Sequence, residues 1–250
     1  MRLARIFGAA VPALALVAGL SACGMNIQVG DEDGVPLADL DTSGDAPDGV
    51  VLGGPDNVVI TSGEEFAITV EGSDEAKDRM RFSLDGGTLA ISREDGSWSD
   101  SDVATVNVTM PPPNSIVIGG SGTVTADGMS SDAEITIGGS GQAHVSGLAA
   151  DSLEVAIGGS GRAEVAGETE SLELTIGGSG GADMAGLQVG HAEVNIGGSG
   201  EARFASDGTV EANIAGSGVV RVRGSAQCDI TTVGSGQLIC EPAEEATPAE

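Results

Sequence analysis

Three sets of residues in this 250-residue chain have types and spacings that could do chemistry. The first is Ser179, inside Gly177-Gly178-Ser179-Gly180-Gly181, which fits the G-x-S-x-G pattern of a serine-hydrolase nucleophile. The second is a series of acids at nearly even intervals, Glu134, Glu154, Glu173, Glu193, Glu211 and Asp229. Carboxylates repeated in this way could form a weak strip for a divalent cation or a cationic ligand. The third is the three cysteines, Cys23, Cys228 and Cys240, which could carry a lipid or form a disulfide.

The nucleophile pattern fares poorly on inspection. A nucleophile elbow needs a strand-to-helix turn and a placed histidine, whereas Ser179 is one of many equivalent serines in recurring G-S-G words. The two histidines, His144 and His191, are too few and too scattered for a zinc cluster. The turns also resemble G-G-x-G-x-D calcium repeats, but the aspartate position holds Val124, Ala143, Ala163, Ala182, Ala202 and Val220. Calcium binding of that type is excluded. Sugar-cleaving clefts want aromatic platforms and paired carboxylates; the repeats hold one aromatic, Phe204, and their acids form a series instead of a pair. No catalytic or cofactor-binding residue is therefore expected, and the only cofactor left open is a weakly held divalent cation.

The elements that must position these residues are themselves periodic. With the last glycine of each turn as a mark, Gly122, Gly141, Gly161, Gly180, Gly200, Gly218 and Gly236 fall 18 to 20 residues apart. A period near that length, with apolar alternation on both sides of the mark, is a solenoid signature. Before the turn the alternating set reads Leu153, Val155, Ile157 and its equivalents; after it, Ala163 and Val165, Ala182 and Met184, Ala202 and Phe204. These side chains are predicted to point inward. A second glycine column, Gly128, Gly147, Gly167, Gly186 and Gly224, predicts a second corner, so that each repeat reads strand, tight turn, strand, turn. If one repeat is one rung, the six acids stack outward at about 4.8 Å, each neighbouring pair repelling by on the order of 1 kcal/mol in a water-like dielectric. On the other arm His144, Glu164, Asp183, Arg203 and Arg221 share one row, which predicts an Asp183–Arg203 ion pair. Cys228 and Cys240 have inward parity on opposite arms of the last rung, and a disulfide is the default in an exported chain.

Residues 57–113 repeat less regularly. Candidate strands are Val58–Ile60, Phe66–Val70, Met80–Leu84, Thr88–Ser92 and Ala104–Met110, followed by the break Pro111-Pro112-Pro113. The N-terminus, with Arg2 and Arg5, an apolar run from Ile6 to Leu20 and Leu20-Ser21-Ala22-Cys23, has the form of a lipoprotein signal with Cys23 as the lipidated residue. The expected organisation is signal peptide 1–22, lipidated Cys23 and an acidic flexible tether 23–56, a head 57–240 whose regular repeats occupy 114–240, and a disordered acidic tail 241–250.

The formal charge is −28, which argues against nucleic acid as a partner. Aromatics are 2% of the chain, and small aliphatic residues suit thin layers better than a thick core.

The irregular strands, the segment "VNVTMPPPNSIVIGGSG" and the "IGGSG" words at Ile118, Ile137, Ile157, Ile176 and Ile196 together resemble the GIN-domain family of auto-transporter adhesin heads, over most of the chain after Cys23. The resemblance implies a right-handed parallel β-helix of two sheets with GSG motifs at the tight turn, an adhesive role and no catalytic residues. The expected function is thus a non-enzymatic lipid-anchored envelope protein presenting a solenoid for adhesion, with a protein or glycan surface as partner and oligomerisation left open. Gly24 after Cys23 is not the aspartate of inner-membrane retention, which points to the outer membrane, with the head on its periplasmic or cell-surface side. The alternatives are a periplasmic scaffold or sensor that binds another envelope protein and, behind it, a carbohydrate-active enzyme.

Overall fold

The computed structural model describes residues 34–94 and 103–242. Cys23, the signal segment and the tail residues 243–250 lie outside the described residues. The chain is nearly all β, a parallel solenoid of about 7 turns.

The first part contains β1 (Gly49–Leu52), β2 (Asn57–Ser62), β3 (Ala67–Glu71), the helix α1 (Asp74–Arg79), β4 (Met80–Asp85), β5 (Thr88–Arg93) and β6 (Thr105–Met110). The regular part follows as β7 (Ser115–Ile118), β8 (Thr123–Ala126), β9 (Asp132–Ile137), β10 (Gln142–Ile157), β11 (Arg162–Gly178), β12 (Gly181–Gly198), β13 (Glu201–Gly216), β14 (Val219–Arg223), β15 (Gln227–Gly234) and β16 (Gln237–Glu241). Two parallel ladders run the length of the molecule. One passes from β5 through β1, β7 and β9 to the second halves of β10–β13 and ends at β15. The other passes from β6 through β2 and β8 to the first halves of β10–β13, then β14 and β16.

Alternation along each strand decides what lies between the ladders. β9 alternates outward and buried positions, with Asp132 and Glu134 exposed and Thr136 half-buried, and the turn isoleucines Ile118, Ile137, Ile157, Ile176, Ile196 and Ile214 form one buried column. Phe82 and Phe204 are the largest fully buried side chains; Phe204 lies in the same thin core as Ala192 and Ala212.

The marks Gly122 to Gly236 are glycine for want of space, not for backbone freedom. A Cβ on Gly180 would stand 2.6 Å from the Ile157 Cγ2 methyl of the rung before, and Gly200 and Gly218 meet Ile176 and Ile196 in the same way. Positive φ is confined at this corner to the preceding glycine of the later turns, as in Gly178 at +148°. Tolerance of positive φ, which would suit glycine to both corners, is used in the second column only at Gly167 and Gly224, at +136° and +125°.

The second corner also differs from expectation. It is not a turn in β10–β13: each strand runs on through it, and the ladder shifts register, for example between Val145 and Leu148. A bulge bends a strand without ending it, so the two predicted sheets join into one continuous sheet of 16 strands.

The predicted boundary at 57 is likewise corrected. β1 lies inside the segment assigned to the tether, yet all four of its residues are buried and it pairs on both sides, with β5 and β7. Val35 bridges to Phe82, so the chain is already held against the head there. At the other end β16 extends through Glu241, one residue into the predicted tail.

Candidate functional site: a columned outer face

Strand pairing puts the six acids in one file. Glu154 is in register with Glu134 and Glu173, Glu173 with Glu193, Glu193 with Glu211, and Glu211 with Asp229. Each repeat is therefore one rung, and all six side chains are exposed. The residue two positions on in each strand supplies a neutral donor in places. Thr136 Oγ1 donates to Glu134 Oε1 at 3.2 Å, and Asn195 Nδ2 donates to Glu193 Oε1 at 3.2 Å. Asn213 Nδ2 donates in turn to Asn195 Oδ1 on the next rung, at 3.1 Å. Such bonds orient the carboxylates along the face but add no positive charge. A shallow polar hollow follows the start of the file, lined by Asn114, Ser130, Asp132, Glu134, Glu154 and Glu173. Among the described residues no three His, Cys, Asp or Glu side chains gather into a group that could hold a metal ion. The file is a surface, not a chelating cluster.

The opposite ladder carries the mixed row. Asp183 is in register with Arg203, and Arg203 Nη1 reaches Asp183 Oδ2 at 3.4 Å. His144 Nδ1 lies 3.0 Å from Glu164 Oε2 on the adjacent rung. These groups are partly exposed, and pairs of this kind contribute little to stability. Arg221 continues the row beside Arg203, and Arg223 stands beside Glu241.

Ser179 sits at a corner with no catalytic companions among these contacts. Its backbone N–H donates to Gly159 O at 3.0 Å, and Ser160, Ser199, Ser217 and Ser235 repeat the same bond to the preceding rung. A strand, β12, follows it and not a helix. His191 Nδ1 lies against Thr209 Oγ1 and His144 against Glu164, so the histidines are engaged elsewhere.

Three polar contacts escaped the sequence reading. Asp56 is fully buried and accepts bonds from Arg93 Nε at 2.6 Å, from Arg93 Nη2 and from the Ala104 backbone N–H at 2.8 Å. In register, Asn57 pairs with Thr123, so Asp56 holds the place of the mark glycine Gly122 in a degenerate first turn, Leu52-Gly53-Gly54-Pro55-Asp56. Asp127 accepts from the Ser62 hydroxyl at 2.6 Å, and Asp207 from the Ser225 backbone N–H and hydroxyl, both at 2.9 Å. Those last two bonds, the backbone one first, hold the Asp207 carboxyl below the usual carboxylate range.

Cys228 and Cys240 are joined by a disulfide, with 6.8 Å between their Cα atoms. Their register partners Val210 and Val222 are buried, but the cysteines are exposed because no rung among the described residues covers the last one.

A family profile described as "Putative auto-transporter adhesin, head GIN domain" matches residues 46–226. No curated protein matches the sequence. Solved structures with the same architecture include a "putative adhesin" from Bacteroides fragilis, 19% identical, with a TM-score of 0.70 over 79% of this chain and 92% of that one. A "putative lipid binding protein" from Parabacteroides distasonis is 20% identical, with a TM-score of 0.63 over 80% of this chain and 94% of that one. A "putative adhesin" from Parabacteroides merdae is 17% identical, with a TM-score of 0.59 over 80% and 93%. At these identities the likeness is one of fold.

Proposed function

We propose a function from a premise the profile establishes: the chain belongs to the GIN-domain family of auto-transporter adhesin heads. Our reading is that it is a non-enzymatic, lipid-anchored envelope protein, tethered through Cys23, whose solenoid presents an acidic face for contact with another surface. The observation that carries this reading is the in-register file Glu134, Glu154, Glu173, Glu193, Glu211 and Asp229. A stacked sheet holds these carboxylates at fixed spacing on a stiff support, so several can meet a partner surface at once. Simultaneous weak contacts raise overall avidity by about 10²–10⁴ without any single strong site. Fixed negative charge selects cationic patches on a protein or glycan surface and falls off with ionic strength.

The test uses cells carrying the full-length chain. Replacing Glu154, Glu173 and Glu193 together with Gln should lower attachment to cationic surfaces and flatten its salt dependence, while Cys23→Ser should abolish acyl labelling and leave unprocessed precursor. Attachment unchanged by the triple replacement would remove the acidic face from the reading. Normal processing of the Cys23→Ser chain would remove the anchor.

A further inference from the structure

Among the described residues the two ladders stop at the C-terminal end without a cover. β15 pairs only with β13, and β16 only with β14, so each has a free edge among the described residues. β15 is exposed along its whole length, with Ile230 40% and Val233 76% accessible. Ile230 stands in register over Ala212, and Leu238 over Val220, so the end of the core itself is open. Terminal repeats of solenoids ordinarily present a polar outer face, and edge strands are ordinarily blunted by lysine, proline or an inward charge. Residues 227–241 have none of these: no Lys, no Pro, and acids only at Asp229, in the outward file, and Glu241, at the strand's end.

We infer that this end is the seat of a two-fold dimer, covered by the same end of a second copy of the chain. Three features favour a copy over other occupants. The chain is strongly acidic as a whole, yet its last three strands, β14–β16, balance, Arg221 and Arg223 against Asp229 and Glu241. Charge-balanced strands do not repel their own copies and offer no net attraction to a highly charged partner. The opposite end of the solenoid is closed by the antiparallel strands β3 and β4, by α1 and by the Val35 bridge, so head-to-tail stacking into a filament is blocked. What remains is an isologous contact that closes at two subunits. A two-fold axis lying across the end also makes every new strand pair antiparallel, whether β15 meets β15 or β16 of the other copy, so both free edges gain backbone partners at once. The tail residues 243–250, AEEATPAE, have no large apolar side chain with which to cover Ile230 and Leu238 instead.

A photo-crosslinking residue at Gln237 in the full-length exported chain tests this. The expected product has twice the monomer mass and is absent when the probe is at Thr175, in the middle of the solenoid. Val233→Asp, at a position too exposed to disturb the core, should reduce the product at least about tenfold while the Cys228–Cys240 disulfide still forms and the β-type circular dichroism is kept. A monomer alone, an equal product from Thr175, a product unaffected by Val233→Asp, or an adduct of another mass would each overturn the dimer. So would a product that forms only after deletion of 243–250, since the tail would then be the native cover.

Discussion

The two ends of the solenoid are finished by opposite means. At the N-terminal end, β3 and β4 turn back antiparallel on β6 and β5 and end both ladders in the wrong direction for further parallel growth. The helix α1 lies beside them, its Ser73 Oγ accepting from the Ala76 N–H at 3.0 Å, with Ala76 buried. Below this cap the buried Asp56–Arg93 pair ties the first turn to the excursion that leads to Ala104. Among the described residues of the C-terminal end there is no change of direction and no helix, and a disulfide spans the last rung. One end is closed by packing and buried polar bonds; the other is fastened but left open. The contrast means that the stability of the N-terminal end is shared with the core, whereas that of the C-terminal rung depends on a covalent link.

The largest effect should come from breaking the closed end. Asp56→Ala removes the buried carboxylate that accepts two bonds from the Arg93 guanidinium, a loss of about 3–5 kcal/mol by analogy with other broken buried pairs. Denaturant unfolding should show a lower midpoint for the whole head. A midpoint shift confined to the noise would mean that the cap is not part of the cooperative unit. Next comes the open end: Cys228→Ala with Cys240→Ala should cost roughly 2–4 kcal/mol and should act locally. Amide exchange should rise in β15 and β16 and stay unchanged in β4 and β5; acceleration at both ends alike would erase the distinction between them. The smallest effect concerns acid. The Asp207 carboxyl has a folded pKa below its unfolded value, so its contribution is present above the unfolded value and is lost as pH falls through the folded one. Asp207 is fully exposed and its bonds hold Ser225, at the corner leading into the last rung. Acidification below the usual aspartate range should therefore loosen 225–241 first, by exchange, and Asp207→Asn should remove that step.

The regular half was legible because its signals repeat. Seven marks at nearly equal spacing disclose the rung, and period-two alternation places Leu153, Val155 and Ile157 inside. The Asp183–Arg203 pair follows from the same register. The closed end was legible only in outline. β1 is four residues flanked by glycine, proline and aspartate, and its turn, Leu52-Gly53-Gly54-Pro55-Asp56, is a degenerate copy separated from Gly122 by the whole excursion through β3–β6. Equal spacing cannot reveal a repeat whose neighbour in space is not its neighbour in sequence. The helix α1 hides differently: Asp74-Glu75-Ala76-Lys77-Asp78-Arg79 buries only Ala76, too little for an apolar stripe. The continuous second corner was missed because a glycine marks a bulge and a turn equally well. Of the candidate site, the sequence reading found the acidic file and the cysteine pair, but not the buried Asp56, whose partner is 37 residues away.

The position of β1 has a mechanical consequence. The chain arriving from its N-terminal side does not enter the solenoid at its outermost rung but between two others, with β5 on one side and β7 on the other. Tension along that segment is thus divided between two neighbouring strands at the point of attachment. An edge strand could be peeled away one hydrogen bond at a time, like a zip; β1 must slide against both neighbours together, and the Asp56 anchor to Arg93 lies just beyond it. Resistance to pulling is a matter of unfolding rate more than of equilibrium stability. Threading the first strand into the interior of the stack thus places a firmer grip behind the Val35–Phe82 bridge, where a load on the N-terminal segment is felt once that bridge gives way.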